Sequence, residues 1–280
     1  MRLRNEVITS RNNSLVKWVC TLHSKKGREE SRSFIAEGIK LAKEAVSAGL
    51  SVSHLLLSDS KRDVYFEEFE KLSECGFLKE TELVFLSDSV FEKISTENSP
   101  QGVVAVIKYL DFFSYMDIIY KEDFFSSRDE RAIILCSVRD PSNLGAVIRS
   151  AVAFGVDRIF LSDDCAELYN PKTVRSAMGS LFRVKTTRVK SLSDLIQKLR
   201  EMGRRVYSAE LTENAVSLTE VGLLPLDCVV IGNEGHGIPF DISALTDGSI
   251  YIPISKKTES LNASVAAAIF MWEQSKYNGV

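Results

Sequence analysis

Two α/β domains joined by a short irregular stretch are predicted by three features of the chain. Residues 1–110 alternate helix-like and strand-like segments. Residues 111–130 break that rhythm with aromatics interleaved with acids. From residue 131 a second series begins whose strands are apolar throughout, as in a parallel sheet covered on both faces. A length of 280 residues accommodates two domains of ordinary size, and 45% hydrophobic with 26% charged residues describes a folded globular chain.

In the first domain, Ser14 is read as the cap of an amphipathic helix over Leu15–Leu22, followed by a polar loop from Ser24 to Arg32. A strand over Ser33–Gly38 and a helix over Ile39–Ala48, closed by Gly49, come next. The strand His54–Ser58, a charged helix from about Tyr65 to Cys75, and the strand Glu82–Ser87 follow. Asp88 opens one more short helix, and Gln101–Tyr109 reads as a buried strand. The joint carries Phe112, Phe113, Tyr115, Tyr120, Phe124 and Phe125, of which some must pack, and ends in a surface turn over Ser126–Glu130.

In the second domain, strands are expected at Ala132–Val138, Arg158–Ser162, Arg183–Thr187, Arg205–Ala209, Cys228–Ile231 and Ser249–Ile254. Helices fall at Leu144–Phe154, Lys172–Met178, Leu192–Glu201 and after Asn262. Ligands of such sheets bind beyond the carboxyl ends of the strands. Three loops lie there. The first, after Ile133–Val138, turns through Asp140-Pro141-Ser142-Asn143 into a slim helix carrying Arg149. The second, after Asp227–Ile231, reads Gly232-Asn-Glu-Gly-His-Gly-Ile-Pro239, with backbone brought close to a ligand or another loop. Its glycine order is G-x-x-G-x-G and no amphipathic helix follows, which excludes a dinucleotide-binding fingerprint and disfavours a nicotinamide-linked oxidoreductase. Glu234 is its working carboxylate by preference over His236. The third, after Tyr251–Ile254, runs through Ser260, Leu261 and the helix cap Asn262 into an alanine-rich helix.

Cys20, Cys75, Cys136, Cys165 and Cys228 form no C-x-x-C pair, and with His23, His54 and His236 far apart no metal site is expected. No apolar run approaches the roughly 20 residues that span a bilayer, and the first residues lack the apolar core of a signal peptide, so a cytoplasmic location is expected. The net charge of −3 does not advertise a nucleic-acid binder. Residues 1–43, however, hold ten Lys/Arg against four Asp/Glu, a local balance of +6.

Asn143-Leu-Gly-Ala-Val-Ile-Arg149 with its continuation to Gly155, Ile231-Gly-Asn-Glu-Gly-His-Gly-Ile238, and Ile252-Pro-Ile254 with Glu259-Ser-Leu-Asn-Ala-Ser-Val-Ala-Ala-Ala268 stand in this order near the C-terminus. Together they resemble the three motifs of the SPOUT-class RNA ribose 2′-O-methyltransferases, the SpoU/TrmH branch. The stretch Arg28–Gly38 is similar to the L30e-like RNA-binding domain that many members carry. The resemblance implies an L30e-like domain over residues 1–110, a linker over 111–130, and a parallel-sheet SPOUT domain with a deep trefoil knot over 131–280. It implies S-adenosylmethionine as cofactor, held by Gly232, Ile252 and Leu261, and a homodimer as the assembly. It places the family's arginine on Arg149 and its asparagine on Asn143. The glutamate falls on Glu234, and the serine and asparagine of the third motif fall on Ser260 and Asn262. Ala263 stands where many members have valine, which leaves the polar positions intact.

The function expected is S-adenosylmethionine-dependent 2′-O-methylation of a ribose in rRNA or tRNA, with rRNA preferred. A non-catalytic RNA-binding protein on the same fold is the alternative; it is disfavoured because all five polar positions are present. Lys25, Lys26, Arg28 and Arg32 are the expected phosphate contacts, with Arg11 and Arg175 next.

Overall fold

The structure, a computed structural model, describes residues 1–74, 76, 78–110, 113–116, 129–233 and 235–276. The chain divides into two units, Met1–Leu110 with Glu167–Phe182, and Asp111–Ala166 with Arg183–Val280.

The first unit opens on a strand that the residue pattern did not signal, β1 (Arg2–Ile8). It continues through α1 (Ser14–Thr21), α2 (Lys25–Ser31), β2 (Ser33–Glu37), α3 (Ile39–Ser47), β3 (Val52–Ser58), α4 (Arg62–Glu74), β4 (Glu82–Leu86), α5 (Asp88–Ile94) and β5 (Val103–Lys108). The sheet order is β1-β4-β3-β5-β2, with β1, β4 and β3 parallel and β5 antiparallel to both its neighbours. Charged residues alternate along β1, so its apolar period is weak; it sits at the sheet edge, where one side needs no partner. Val16 and Val19 of α1, Leu22 at its C-cap, and Val90, Phe91 and Ile94 of α5 close one sheet face over Ile35, Leu56, Val84 and Val104. Asn13, one residue before the expected cap, caps α1 by accepting from Leu15 N at 2.9 Å.

The expected polar loop Ser24–Arg32 is instead the helix α2. Ser24 Oγ caps it by accepting from Gly27 N at 3.1 Å, and Lys25–Glu29 and Lys26–Glu30 pair at i,i+4. Gly27 allows a close contact: a Cβ at this position would lie 2.1 Å from the Thr21 carbonyl oxygen.

Arg28 requires a correction. It was expected to face RNA, yet it is 2% exposed. Its Nε and Nη2 donate to the two carboxylate oxygens of Glu167 at 2.8 and 2.5 Å, and its Nη1 donates to the Leu22 and His23 carbonyls at 2.7 and 2.9 Å. A buried guanidinium whose Nε, Nη1 and Nη2 are all engaged by acceptors within the protein has no face left for a phosphate. Tyr169 stacks on Phe34 and Tyr109 at centroid distances of 4.6 and 4.2 Å in the same unit.

In the second unit the strands and helices are β6 (Phe113–Met116), β7 (Ala132–Leu135), α6 (Pro141–Ala153) and β8 (Arg158–Ser162). After the helix α7 (Pro171–Ala177), which belongs to the first unit, come β9 (Lys185–Val189), α8 (Leu192–Glu201), β10 (Val206–Ala209), β11 (Val216–Ser217) and α9 (Leu218–Val221). The chain ends through β12 (Cys228–Ile231), α10 (Phe240–Ser243), β13 (Gly248–Tyr251) and α11 (Ala263–Ser275). These strands make an eight-stranded sheet of order β11-β13-β10-β12-β7-β8-β9-β6, parallel at every described pairing. Every residue of β7, β8 and β12 is buried, which is what a parallel sheet covered on both faces requires. Leu192, Leu195, Ile196, Leu199 and Ile242 of α8 and α10 cover one face of it.

Two residue groups of the expected joint belong to this unit. Phe113–Met116 form β6, paired in parallel with β9; the other aromatics of the joint, Phe112, Tyr120, Phe124 and Phe125, lie outside the described residues. Glu130, expected on a surface turn, is buried. It accepts from Arg158 Nε at 3.1 Å and Lys185 Nζ at 2.5 Å, so the joint ends in an ion-pair anchor.

The Arg28 arrangement sets an expected outcome. Arg28→Ala leaves Glu167 and two carbonyls without their donor, and should cost about 3–5 kcal/mol of unfolding free energy, the usual scale for breaking a buried ion pair. Lys25→Ala, at a solvated ion pair, should cost less than about 0.5 kcal/mol. Denaturant titration of both variants checks this; equal midpoints would show that Arg28 is not a structural residue.

Candidate active site

The site is built at the carboxyl ends of β7, β10, β12 and β13. After β7 the backbone turns sharply: Ser137 has a φ of +57°, a left-handed conformation that non-glycine residues rarely adopt. Ser137 N donates to Ser162 Oγ at 2.8 Å and Ser137 Oγ to Asp164 at 2.7 Å, which holds the turn. Asp140 then caps α6, accepting from Ser142 N and Asn143 N at 2.8 and 2.9 Å, with Pro141 at the first helical position.

Asn262 caps α11 in the same way, its Oδ1 accepting from Ser264 N at 2.9 Å. That bond fixes the amide orientation, so Nδ2 is free to donate, and it donates to Asn143 Oδ1 at 3.0 Å. Two residues 119 apart in sequence, each in the opening of a helix, thereby meet side chain to side chain. Arg149 is exposed further along α6, with no hydrogen bond or ion pair among the described residues. Glu234 lies outside the described residues.

Beside this pair lies a cavity of about 250 Å³. Ile231, Ile250, Ile252, Leu261, Ala263, Ala266 and Phe270 make its apolar walls, and Glu210, Asn233 and Ser260 bring polar groups to it. Gly232, Ile252 and Leu261, the three residues expected to hold a cofactor, all line it. Apolar walls suit a purine, and the polar groups suit a ribose or an amino-acid tail. Gly232 is constrained by its own loop: Asn233 N donates to Gly237 O at 3.1 Å, Gly237 N returns to Asn233 O at 2.9 Å, and a Cβ on Gly232 would lie 2.6 Å from the Gly237 carbonyl carbon. A side chain there would break the loop as well as fill the cavity.

Sequence reasoning missed three contributors. Asn233 ties the second loop to the first, its Nδ2 donating to Ser137 O at 2.9 Å while its Oδ1 accepts from Gly235 N at 2.9 Å. An Asn one residue past Gly232, which itself follows a buried strand, and two before Gly235 was a legible turn signal. Glu210, in the cavity wall, and Asp164, which braces Ser137, carry no local pattern that would have singled them out.

Of the residues expected to meet RNA in the first unit, Lys25, Lys26, Arg32, Arg11 and Arg175 are exposed. Arg32 lies 4.8 Å over the Tyr109 ring, Arg11 donates to the Ser89 carbonyl at 3.0 Å, and Arg175 pairs with Glu97. Lys25 and Lys26 keep loose partners at 3.7 and 3.8 Å.

Asp164 gives the site a pH dependence. Burial by itself would raise this carboxyl, but hydrogen bonds from Ser162, Arg139 and Ser137 and the Arg139 charge outweigh it and bring it down to about 2, from an ordinary 3.8. A carboxyl depressed on folding contributes stability above its ordinary value and loses it as the pH falls toward the folded one. Asp164→Asn should therefore lower the melting temperature at about pH 7, modestly because the group is partly solvated, with the gap to wild type closing between about pH 4 and pH 2. Thermal melts across that range check this; a gap independent of pH would exclude the carboxylate as its source.

Comparison with known proteins agrees with this geometry. The MRM3-like substrate binding domain matches residues 13–105. A 23S rRNA (guanosine(2553)-2′-O)-methyltransferase, RlmP of Bacillus subtilis (strain 168), is 31% identical over 265 residues, 95% of this chain and 97% of its own. A 23S rRNA (uridine(2479)-2′-O)-methyltransferase of Streptomyces viridochromogenes is 28% identical over 95% of this chain and 90% of its own. The crystal structure of an AdoMet-bound rRNA methyltransferase from Sinorhizobium meliloti superposes with a TM-score of 0.81 at 27% identity, covering 98% of each chain. Residues 130–272, which contain the whole cavity and the Asn143–Asn262 pair, match the SpoU rRNA Methylase family, and the chain belongs to it.

Proposed function

We propose that this protein methylates a ribose 2′-hydroxyl of RNA, with ribosomal RNA as the substrate class and S-adenosylmethionine as the donor. The observation that carries the reading is the Asn143–Asn262 hydrogen bond at the side of a cavity lined by Ser260, Leu261 and Ala263, which flank Asn262 in the chain. The rRNA activities in the names of the B. subtilis and S. viridochromogenes relatives, and the cofactor in the S. meliloti structure, supply the substrate and donor.

When bound, S-adenosylmethionine supplies an electrophilic methyl group. The chain's own residues supply placement and electrostatics, which account for much of an in-line displacement. Gly232, Ile252 and Leu261 hold the donor through backbone and apolar contact. Asn143 and Asn262, locked to each other, present amide groups that orient the incoming ribose, and Ser260, two residues before Asn262, lines the cavity. Arg149 holds the neighbouring phosphate and stabilises the developing alkoxide, because a guanidinium is a permanent cation with donors only and not a base. Glu234, in the loop between Gly232 and Pro239, completes the polar set.

The same reading includes a trefoil knot and a homodimer. The sheet order supports the knot: β13 lies beyond β10, while the helix after it returns to pack on α6 and β12, so the segment between crosses the ends of neighbouring strands. The homodimer is supported by an apolar groove along α6 and α11, lined by Ala146, Phe154, Val265, Ala268 and Trp272. Val265 and Trp272 are 48% and 49% exposed there, surface that a second copy would cover. Lys25, Lys26, Arg32, Arg11 and Arg175 take RNA phosphates. Among the described residues no helix is long and apolar enough to cross a membrane, and the site of action proposed is the cytoplasm, where ribosomal RNA is found.

Two measurements test this. Arg149→Ala should leave calorimetric S-adenosylmethionine binding near wild type, while methyl transfer to ribosomal RNA falls about a hundredfold; Arg149→Lys should recover little, because a point charge does not replace a planar fork. Turnover that survives Arg149→Ala would assign the role elsewhere, and a wild-type protein that binds the donor but methylates no RNA would favour a binding-only protein. Trp272→Glu with Val265→Glu should convert a dimer into a monomer in sedimentation velocity; a monomeric wild type would remove the homodimer.

A further inference from the structure

We propose that Glu210 recognises the ribose of the cofactor, its carboxylate accepting hydrogen bonds from the 2′- and 3′-hydroxyls of S-adenosylmethionine. The proposal rests on the cofactor reading above. Glu210 follows β10 and is the one charged side chain among the described residues that line the cavity. It is held in place from behind. Ser208 Oγ donates to its Oε1 at 2.7 Å and Ser249 Oγ donates to the same oxygen at 3.1 Å. Those serines are directly opposed on the paired strands β10 and β13, and Ser208 is fully buried. Oε2 makes no hydrogen bond among the described residues, so half of a pre-oriented carboxylate remains unused beside a cavity.

Chemistry and position both select the ribose. A cis-diol offers two donors, which a single oriented carboxylate can accept together. The purine is better matched to the apolar walls, Ile231, Ile250, Ile252, Leu261 and Phe270. The sulfonium must lie toward the Asn143–Asn262 pair if the methyl is to reach an RNA ribose there. Glu210 belongs to β10, which β12 separates from β7 and its Asn143-bearing loop, a spacing of about 10 Å across the sheet. The ribose, attached to the sulfonium through one methylene, is the part of the cofactor that extends from that pair toward β10.

Calorimetry on the full-length protein tests this with S-adenosylmethionine, S-adenosylhomocysteine, 5′-methylthioadenosine and 2′,3′-dideoxy-S-adenosylhomocysteine. Glu210→Gln should weaken the first three ligands alike, by about ten- to a hundredfold, the range for loss of a charge-assisted hydrogen bond. Wild type should lose a comparable factor when the diol is removed from the ligand, and Glu210→Gln should bind S-adenosylhomocysteine and its dideoxy analogue within about twofold of each other. Should Glu210→Gln fail to fold by thermal melting, Ser249→Ala, which frees the carboxylate to turn away, takes its place in the same comparison. Three results would overturn the proposal: unchanged affinity in the variant, a loss confined to S-adenosylmethionine, which would make the sulfonium the partner, or wild-type binding indifferent to the diol. Wild-type protein that binds neither S-adenosylmethionine nor S-adenosylhomocysteine would instead sink the cofactor reading itself.

Discussion

An all-parallel sheet sends every strand's carboxyl end to one edge, and in this protein the positions of β12 and β13 in that sheet determine what gathers there. β12 lies between β7 and β10, and β13 lies beyond β10, so the loops that follow β7, β12 and β13 converge although some 120 residues separate their ends. Parallel pairing makes this possible, because each strand is reached by a crossover and its place in the sheet is independent of its place in the chain. The buried β-branched and aliphatic residues of β7, β8 and β12 are the cost of that arrangement, since both sheet faces must be covered for the edge to be rigid.

The loops at that edge are stiffened by short polar contacts and not by bulk. Asn262 caps one helix and reaches into the opening of another; Asn233 closes its own turn and reaches the Ser137 carbonyl; Asp164 braces the left-handed residue between them. Each asparagine uses both ends of its amide, so neither can rotate without losing two partners. This differs from a glycine-rich dinucleotide loop, where a long helix begins directly after the glycines and offers its N–H groups to a pyrophosphate. Here the helix after Gly232–Pro239 is the four-residue α10, and the cavity walls are side chains and extended backbone.

Buried charge recurs in both units, always compensated. Arg28 satisfies Glu167 and two carbonyls, and Glu130 satisfies Arg158 and Lys185. Each joins segments far apart in sequence, Glu130 with residues 28 and 55 positions on and Arg28 with Glu167, 139 positions on. A paired buried ion adds little net stability over an apolar substitute, but an ion without its partner is costly, so these groups select one arrangement of segments over others.

Much of this was legible from local pattern. Apolar runs located β7, β8, β10, β12 and β13 to within a few residues, the Asn262 cap was read correctly, and the order of the three loop motifs pointed to the family to which the chain belongs. Those features depend on near neighbours in sequence, where period, capping and turn chemistry act. What escaped was decided by distant partners. β1 has no clean period because an edge strand needs only one buried side. Arg28 and Glu130 look like solvated charges until Glu167, Arg158 and Lys185 are folded against them. Glu210 is one acid among many until Ser208 and Ser249 fix it at a cavity wall. The sequence by itself determined most of the elements and the three motif loops; the tertiary structure decided which charges are buried and which side chains meet, because both depend on long-range pairing that no local window contains.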